Sequence, residues 1–194
     1  MEFMSREEWK AVHEYSSSGG TLTVWGRNGI ISDDWAQKNI SGRIGYNNIF
    51  DLVIEENAER IGNNAFEGLF CVTSITISDS VTDIGKFAFS SCKSLTSVTI
   101  PDSVSNIGEY AFGNCSGLTS IIIYSSVINI GKNVFRNCSS LNEIINYAET
   151  PQIIDELIFG AVDKIPGILR VTATSVDAYR AAKGWRKFVN IRAM

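Results

Sequence analysis

A short sequence repeat runs through the middle of the chain and constrains its fold more than any other feature. Written in rows of 23, the sequence opens each row with isoleucine and glycine, at Ile61-Gly62, Ile84-Gly85, Ile107-Gly108 and Ile130-Gly131. The sixth column is always phenylalanine: Phe66, Phe89, Phe112 and Phe135. One such unit cannot bury its own apolar side chains, but stacked units turn each column into a continuous buried row. The sequence therefore predicts a repeat solenoid.

Each unit contains a strand pattern and a turn pattern. The segment from Leu95 to Ile100 ends in an alternation of apolar and polar residues, with Val98 and Ile100 apolar. This pattern is typical of a short strand. Stacked units would align these strands into a parallel β-sheet on one face, with neighbours about 4.8 Å apart. The segment from Ile107 to Phe112 predicts a tight turn and a short helical turn opposite the sheet. Its glycine is expected to supply either a special backbone conformation or a close approach that a side chain would block.

The segment from Leu95 to Cys115 reads L-x-x-V-x-I-P-x-x-V-x-x-I-G-x-x-A-F-x-x-C, which resembles the BspA-like class of leucine-rich repeats. The stretches over 19–26 and 175–185 resemble the segments that precede and close such arrays. The resemblance implies a leucine-rich repeat solenoid that is capped at both ends. It also implies a surface or secreted protein of a bacterium. A few family members resemble adhesins for host matrix proteins, and many have no known ligand.

The ends of a solenoid expose apolar cross-sections, so both should be capped. The tryptophans flank the array, at Trp9, Trp25, Trp35 and Trp185. We expect one structural domain in three parts. Residues 1–60 form an N-terminal cap, 61–153 form four leucine-rich repeats, and 154–194 form a degenerate repeat and a C-terminal cap.

Local signals predict the content of the caps. The N-terminal cap should hold a short helix over 5–15, a hairpin that turns at Arg27-Asn28-Gly29, and a partial repeat at Leu52-Val53-Ile54. In the degenerate repeat, Ile154, Ile158 and Phe159 should continue the buried columns, and 168–172 should form the last strand. A helix over 175–182 should begin at a capping pair of Thr174 and Asp177 and stop at Gly184, with Trp185, Phe188 and Ile191 folding back over the last coil.

Composition excludes several kinds of chemistry. The 194-residue chain has a net charge of −4, which does not favour nucleic acid as a partner. Its single histidine, His13, would have to serve any Ser-His-Asp or Cys-His centre, and it lies outside the array. Three cysteines, Cys92, Cys115 and Cys138, share one inward column, so we expect buried free thiols rather than a metal site or disulfide. We therefore predict no enzyme activity, no cofactor and no metal.

Variation between repeats points to a binding surface. Between the buried strand positions, the outward column changes from Thr76 and Thr99 to Ile122 and Ile145. Two tyrosines, Tyr124 and Tyr147, follow the same strands, and Glu143 replaces a serine. Exposed apolar clusters with a polar rim mark interaction sites, so we predict that a ligand binds at Ile122, Tyr124, Glu143, Ile145 and Tyr147. The alternative is that residues 146–172 fold over these side chains and make them part of the core.

The favoured function is a non-catalytic recognition module, a protein-protein interaction or adhesion domain. Its ligand would be a protein, with host matrix proteins as one class, and a glycan is a further alternative. An intracellular scaffold or effector is the competing interpretation. No apolar run approaches the length of a membrane span, and we expect a monomer. The protein should be at the cell surface or secreted if a signal peptide precedes this sequence, and cytoplasmic otherwise.

Overall fold

Each repeat makes one turn around an apolar interior and contributes two short strands to different sides of that turn. The computed structural model describes residues 14–16, 19–24, 29–40, 49–160 and 164–194. In one repeat, the strand Ser97–Ile100 is followed by Pro101, and a second strand lies at Asn106–Ile107. A succession of tight turns over 109–114 then leads the chain towards the next repeat.

The described residues form fourteen strands and two short α-helices. In chain order, the strands are β1 Glu14–Ser16, β2 Gly19–Val24, β3 Ile30–Ile31, β4 Ile49–Ile54, β5 Arg60–Ile61, β6 Ser74–Ile77, β7 Asp83–Ile84, β8 Ser97–Ile100, β9 Asn106–Ile107, β10 Ser120–Ile123, β11 Asn129–Ile130, β12 Glu143–Asn146, β13 Ile165–Val171 and β14 Phe188–Ala193. The helices are α1 Trp35–Asn39 and α2 Val176–Ala181, and 3-10 turns lie at Ala173–Ser175 and Trp185–Lys187.

The longer strands form one side of the solenoid. A four-stranded sheet has the order β1-β2-β4-β6, and a five-stranded sheet has the order β8-β10-β12-β13-β14. The two sheets meet between β6 and β8, where the Thr96 N–H donates to the Thr73 carbonyl oxygen at 3.3 Å. Neighbouring repeats pair in parallel with a register of one repeat, as where Val98 lies beside Ile121. The predicted parallel solenoid is confirmed.

The two-residue strands form a separate sheet on another side of each turn. We call it the second sheet, and the sequence did not predict it. Its order is β3-β5-β7-β9-β11, and every pair is parallel. The first isoleucine of each repeat lies here and is buried, as Ile84 and Ile107 show. Between the two sheets, the turn segments contain short-range bonds such as Ala111 N–H to the Gly108 oxygen at 3.2 Å.

The interior consists of stacked rows, as the columns predict. The ring centroids of Phe66 and Phe89 are 5.6 Å apart, and those of Phe89 and Phe112 are 5.3 Å apart. The row continues through Phe135, at 6.2 Å, to Phe159, at a further 5.8 Å. Phe159 therefore occupies the phenylalanine column of the degenerate repeat, as predicted.

The repeated glycine is required by close approach between turns. A Cβ atom added to Gly108 would lie 2.6 Å from the carbonyl carbon of Gly85 and 2.6 Å from the amide nitrogen of Lys86. One on Gly85 would meet the backbone of Gly62 at the same distance. Any side chain would hold successive turns apart, so of the two predicted roles of these glycines the close approach is confirmed.

The predicted N-terminal hairpin is wrong. β2 pairs in parallel with β4, whereas β3 pairs in parallel with β5 in the other sheet. Leu22, Val24 and Ile31 are buried in the common core, so this segment follows the path of a repeat. The apolar positions override the turn signal because they extend the buried rows.

Other N-terminal predictions are tested only in part. β1 pairs antiparallel with β2, so a helix over 5–15 cannot include its last two residues, Glu14 and Tyr15. The rest of that helix, with Trp9 and His13, lies outside the described residues, as does Trp25. Trp35 lies in α1 and packs against Phe66, with ring centroids 5.7 Å apart.

The C-terminal segment adds two strands instead of one. β13 joins the edge of β12, and β14 then joins β13 in parallel, so the predicted strand over 168–172 is not the last. The predicted capping pair is also wrong. Ser175 occupies the N-cap of α2 without a side-chain cap bond, and Asp177 pairs with Arg180 at 3.1 Å.

Buried polar groups hold this last unit on the array. Asn146 replaces an isoleucine of the repeat and donates from Nδ2 to Oε1 of Gln152 at 2.9 Å. Gln152 Nε2 donates to the Val127 oxygen at 3.1 Å. The Tyr179 hydroxyl donates to the Ala148 oxygen at 3.1 Å, and Trp185 Nε1 donates to the Gln152 oxygen at 3.0 Å. The Tyr179 and Trp185 bonds join the C-terminal unit to the repeats, and buried hydrogen bonds of this kind specify a single arrangement.

Candidate functional site

The outer face of the long strands presents straight rows of side chains. The register places Thr99, Ile122, Ile145 and Arg170 side by side on β8, β10, β12 and β13. Thr99 is exposed, whereas the two isoleucines and the arginine are half-buried. Each row is held by the backbone ladder, so the spacing of the side chains is fixed before any ligand arrives.

Two tyrosines stack just beyond the ends of β10 and β12. The ring centroids of Tyr124 and Tyr147 are 5.1 Å apart, and the ring planes differ by 9°. Tyr124 is half-buried, and Tyr147 is 40% exposed. The pair forms a stacked aromatic surface that is partly exposed. Such rings give a large contact area at low conformational cost.

The fifth predicted residue, Glu143, is already paired within the chain. Its Oε1 accepts from Arg170 Nε at 2.6 Å, and both side chains are about a third exposed, at 32% and 39%. A pair this accessible contributes little to stability. It does place a fixed carboxylate and guanidinium beside the isoleucines. Arg170 is therefore a member of the face that the sequence did not reveal.

The C-terminal strand β13 extends this face. It lies beside β12 in the same sheet, so its side chains lengthen the rows. Four of the five predicted side chains are half-buried and Tyr147 is exposed. We call the face formed by Ile122, Tyr124, Glu143, Ile145 and Tyr147 the outer patch.

A surface depression borders the outer patch on its N-terminal side. It has a volume of about 540 Å³ and runs past Thr76, Thr99 and Pro101 to Tyr124. Two carboxylates, Asp79 and Asp102, lie on its rim. The outer patch thus continues into a concave, polar region, and the two together form a long contact surface.

The three thiols of the cysteine column stay protonated near neutral pH, because their pKa values are raised. The thiols of Cys92, Cys115 and Cys138 are free and donate to the carbonyl oxygens of Phe66, Phe89 and Phe112, at 3.5, 3.2 and 3.1 Å respectively. Burial raises the pKa of the Cys115 thiol to about 12, and it also raises the pKa values of the other two thiols. Thiols that stay protonated are poor nucleophiles and poor metal ligands.

The described ranges contain neither a metal-ligand cluster nor a helix that could span a membrane. No group of three or more His, Cys, Asp or Glu side chains there is arranged to hold a metal ion. No helix in those ranges is both long and apolar enough to cross a lipid bilayer.

Comparison with known families decides the identity of the repeats. A family model described as the BspA type leucine rich repeat region matches residues 45–165 in six copies. The chain belongs to the BspA-type leucine-rich repeat family. Leucine-rich repeats of this kind are typically protein-interaction modules and are generally non-catalytic. No curated protein sequence matches this BspA-type chain significantly.

Solved bacterial structures share the fold of this BspA-type domain. A leucine-rich repeat protein of T. pallidum superposes with a TM-score of 0.57 at 18% identity, over 94% of this chain and 79% of that one. A leucine rich cell surface protein of Faecalibacterium prausnitzii A2-165 gives 0.54 at 24% identity, over 69% of this chain. A leucine-rich repeat protein from Bacteroides ovatus ATCC 8483 gives 0.49 at 30% identity, over 52% of this chain. This chain covers only 37% of the F. prausnitzii protein and 26% of the B. ovatus protein.

Proposed function

We propose that this BspA-type domain is a recognition module that binds a protein ligand through the outer patch. The observation that carries the proposal is the stacked pair Tyr124 and Tyr147 beside Ile122 and Ile145, with Tyr147 40% exposed. Tyrosine is enriched among the residues that dominate binding energy at interfaces.

The backbone supports this function energetically. Three residues of the outer patch lie on paired strands, and Tyr124 and Tyr147 directly follow those strands, so few backbone degrees of freedom are lost when a ligand binds. The Glu143–Arg170 pair supplies a polar rim with both charge signs. That rim would orient a ligand, while the isoleucines and tyrosines would supply most of the buried apolar area.

We place the protein at the cell surface or among secreted proteins, where it would act as an adhesion module. This part of the proposal is supported by the F. prausnitzii relative, which is described as a cell surface protein. Matrix proteins of a host are the ligand class to test first.

The test is a double substitution, Tyr124→Ser with Tyr147→Ser, assayed against immobilised extracellular matrix proteins and a glycan array. We expect the double variant to lose binding to a matrix protein by about tenfold or more, with a melting temperature within about 5 °C of the parent.

The matched control is Ile128→Ser with Ile153→Ser. Both isoleucines are more exposed than Tyr147, at 68% and 98%, and neither belongs to the outer patch, so this variant should bind like the parent. Unchanged binding by the tyrosine variant would refute the site. A fall in its melting temperature well beyond about 5 °C would instead identify the tyrosines as core. A ligand found only on the glycan array would contradict the protein-ligand proposal.

A further inference from the structure

The C-terminal edge of the five-stranded sheet is open. Within the described part of the chain, β14 pairs with β13 on one side and with no strand on the other. Met194 N–H donates to the Val171 oxygen at 2.9 Å, so even-numbered residues of β14 point their backbone groups towards β13. In a parallel ladder the intervening residues point the opposite way. Val189, Ile191 and Ala193 therefore present N–H and C=O groups to the outside.

Arginine side chains border this edge. A cleft of about 280 Å³ runs along residues 188–192, and its walls include Arg180, Arg186 and Arg192. Arg180 already reaches the outward carbonyl oxygen of Ile191 at 3.5 Å, which confirms the direction of that group. Arg192 is exposed and has no ion pair within the described residues.

The local charge is positive even after nearby acids are counted. Asp177 pairs with Arg180 at 3.1 Å, and Glu156 lies 3.8 Å from Arg186. Residues 154–194 hold seven basic and four acidic side chains. The cleft therefore combines outward strand donors and acceptors, of which the Ile191 oxygen already accepts from Arg180, with excess guanidinium charge.

We propose that β14 accepts an extended acidic segment of a partner protein as an additional strand. The backbone of the segment would pair with the outward groups of Val189, Ile191 and Ala193. Its carboxylates would contact Arg180, Arg186 and Arg192, because charge-assisted bonds from guanidinium to carboxylate are among the strongest in proteins. Strand addition at an exposed edge is a general mode of peptide recognition.

The same arginines argue against a second copy of this chain as the occupant. Pairing two β14 edges would bring two sets of guanidinium groups together, and charged side chains commonly protect edges from such self-association. An acidic segment avoids this repulsion and neutralises the excess charge. This surface differs from the outer patch, so the two proposals can succeed or fail separately.

The test uses a fluorescent peptide of about eight residues that alternates glutamate and threonine, long enough to span the three outward residues. Fluorescence anisotropy should show saturable binding at about 50 mM salt, weakened by about tenfold at about 500 mM. A matched peptide that alternates lysine and threonine should not bind.

Two variants separate the backbone from the charge. Val189→Pro removes an outward N–H without removing a bond to β13, and Phe188 already has the extended conformation (φ −68, ψ 124) that a residue before proline requires. This variant should lose binding, whereas Val189→Ala should retain it. Arg192→Glu should weaken binding by about tenfold, whereas Lys93→Glu, the same charge change at an exposed site away from the edge, should not.

Several results would overturn the proposal. They are equal binding of the basic peptide, equal binding by the proline and alanine variants, or no saturation by the acidic peptide at about millimolar concentration. Concentration-dependent dimerisation of the free protein that Val189→Pro abolishes would assign the edge to a second copy. Circular dichroism checks each fold, and if the proline variant is unfolded the comparison of Arg192→Glu with Lys93→Glu decides.

Discussion

Replacing Gly108 by alanine should destabilise the solenoid, although alanine normally stabilises at an unobstructed glycine. The ordinary gain is about 0.4–1 kcal/mol, because alanine reduces the entropy of the unfolded chain. Gly108 does not have a positive φ, so its backbone would accept alanine. The obstacle is the neighbouring turn, which is held against it by the bond from Gly108 N–H to the Ile84 oxygen at 2.8 Å.

The size of the effect follows from the approach distance. The added methyl group would lie 2.6 Å from backbone atoms of Gly85 and Lys86, roughly 1 Å inside a normal carbon contact. Backbone atoms cannot rotate away as a flexible side chain would, so the two turns must separate. Overpacking of this kind costs about 1–3 kcal/mol. After the ordinary gain of about 0.4–1 kcal/mol is subtracted, we expect a net loss of roughly 0.5–2 kcal/mol in the free energy of unfolding, measured by urea denaturation.

Gly68 provides a control with the opposite constraint. A Cβ there would meet nothing within 4 Å, but its φ is +77. Asparagine tolerates the left-handed conformation better than most residues, so Gly68→Asn should cost little. Gly108→Asn should cost at least as much as Gly108→Ala. Equal or greater stability of Gly108→Ala, or equal losses for the two asparagine variants, would show that the turns are not in close contact.

Two further predictions concern the interior. Phe112→Ala removes a fully buried ring that stacks on Phe89 and Phe135 at 5.3 and 6.2 Å, and it should cost about 3–5 kcal/mol in urea denaturation; a loss below about 2 kcal/mol would mean that the neighbours close the cavity. The Cys115 thiol should make the protein less stable at high pH, because its pKa is raised from 9.0 to about 12 on folding and the unfolded thiol releases its proton first. The stability that the protonated thiol contributes is fully present below about pH 9 and is lost as the pH rises towards about 12. Cys115→Ala should therefore flatten the fall in urea midpoint between these pH values. An unchanged slope would contradict the assignment.

The buried columns could be predicted because each recurs at a constant spacing. Phe66 to Phe135 and Cys92 to Cys138 keep the period of the repeat, and a side chain that recurs in step with the fold must occupy the same place in every turn. The second sheet could not be predicted in this way. Strands of two residues, such as Asn106–Ile107, are too short to show an alternating pattern.

The first turn of the solenoid could not be predicted, because its length differs from the period of the repeat. Ile31 pairs with Ile61, and the interval between them is longer than one repeat, so Ile31 falls outside the columns. The local sequence Asn28-Gly29 is also a strong hairpin signal. A turn motif acts on a few residues, whereas Leu22, Val24 and Ile31 gain by burial along the whole array. The longer-range contribution decides the topology.

The outer patch was predictable only within the regular repeats. Alternation places Ile122 and Ile145 outward, and the structure agrees. Arg170 lies beside Ile145 although the interval between them exceeds one repeat, because the segment between β12 and β13 no longer follows the period. The ion pair with Glu143 therefore had no signature in the sequence, and only the three-dimensional register reveals it.

The break in the repeat at Asn146 links the core to both proposed surfaces. An isoleucine there would remove the hydrogen bond that Gln152 Oε1 accepts from Asn146 at 2.9 Å, and losing one such bond would cost about 0.5–1.5 kcal/mol. The Asn146–Gln152 pair and the Tyr179 hydroxyl fix the path of the chain between β12 and β13. That path makes β13 extend the sheet that carries the outer patch, and it also brings β14 and its arginines to the open edge. One polar substitution in a buried column thus accompanies the end of the repeat and the start of the surfaces that distinguish this chain from a uniform array.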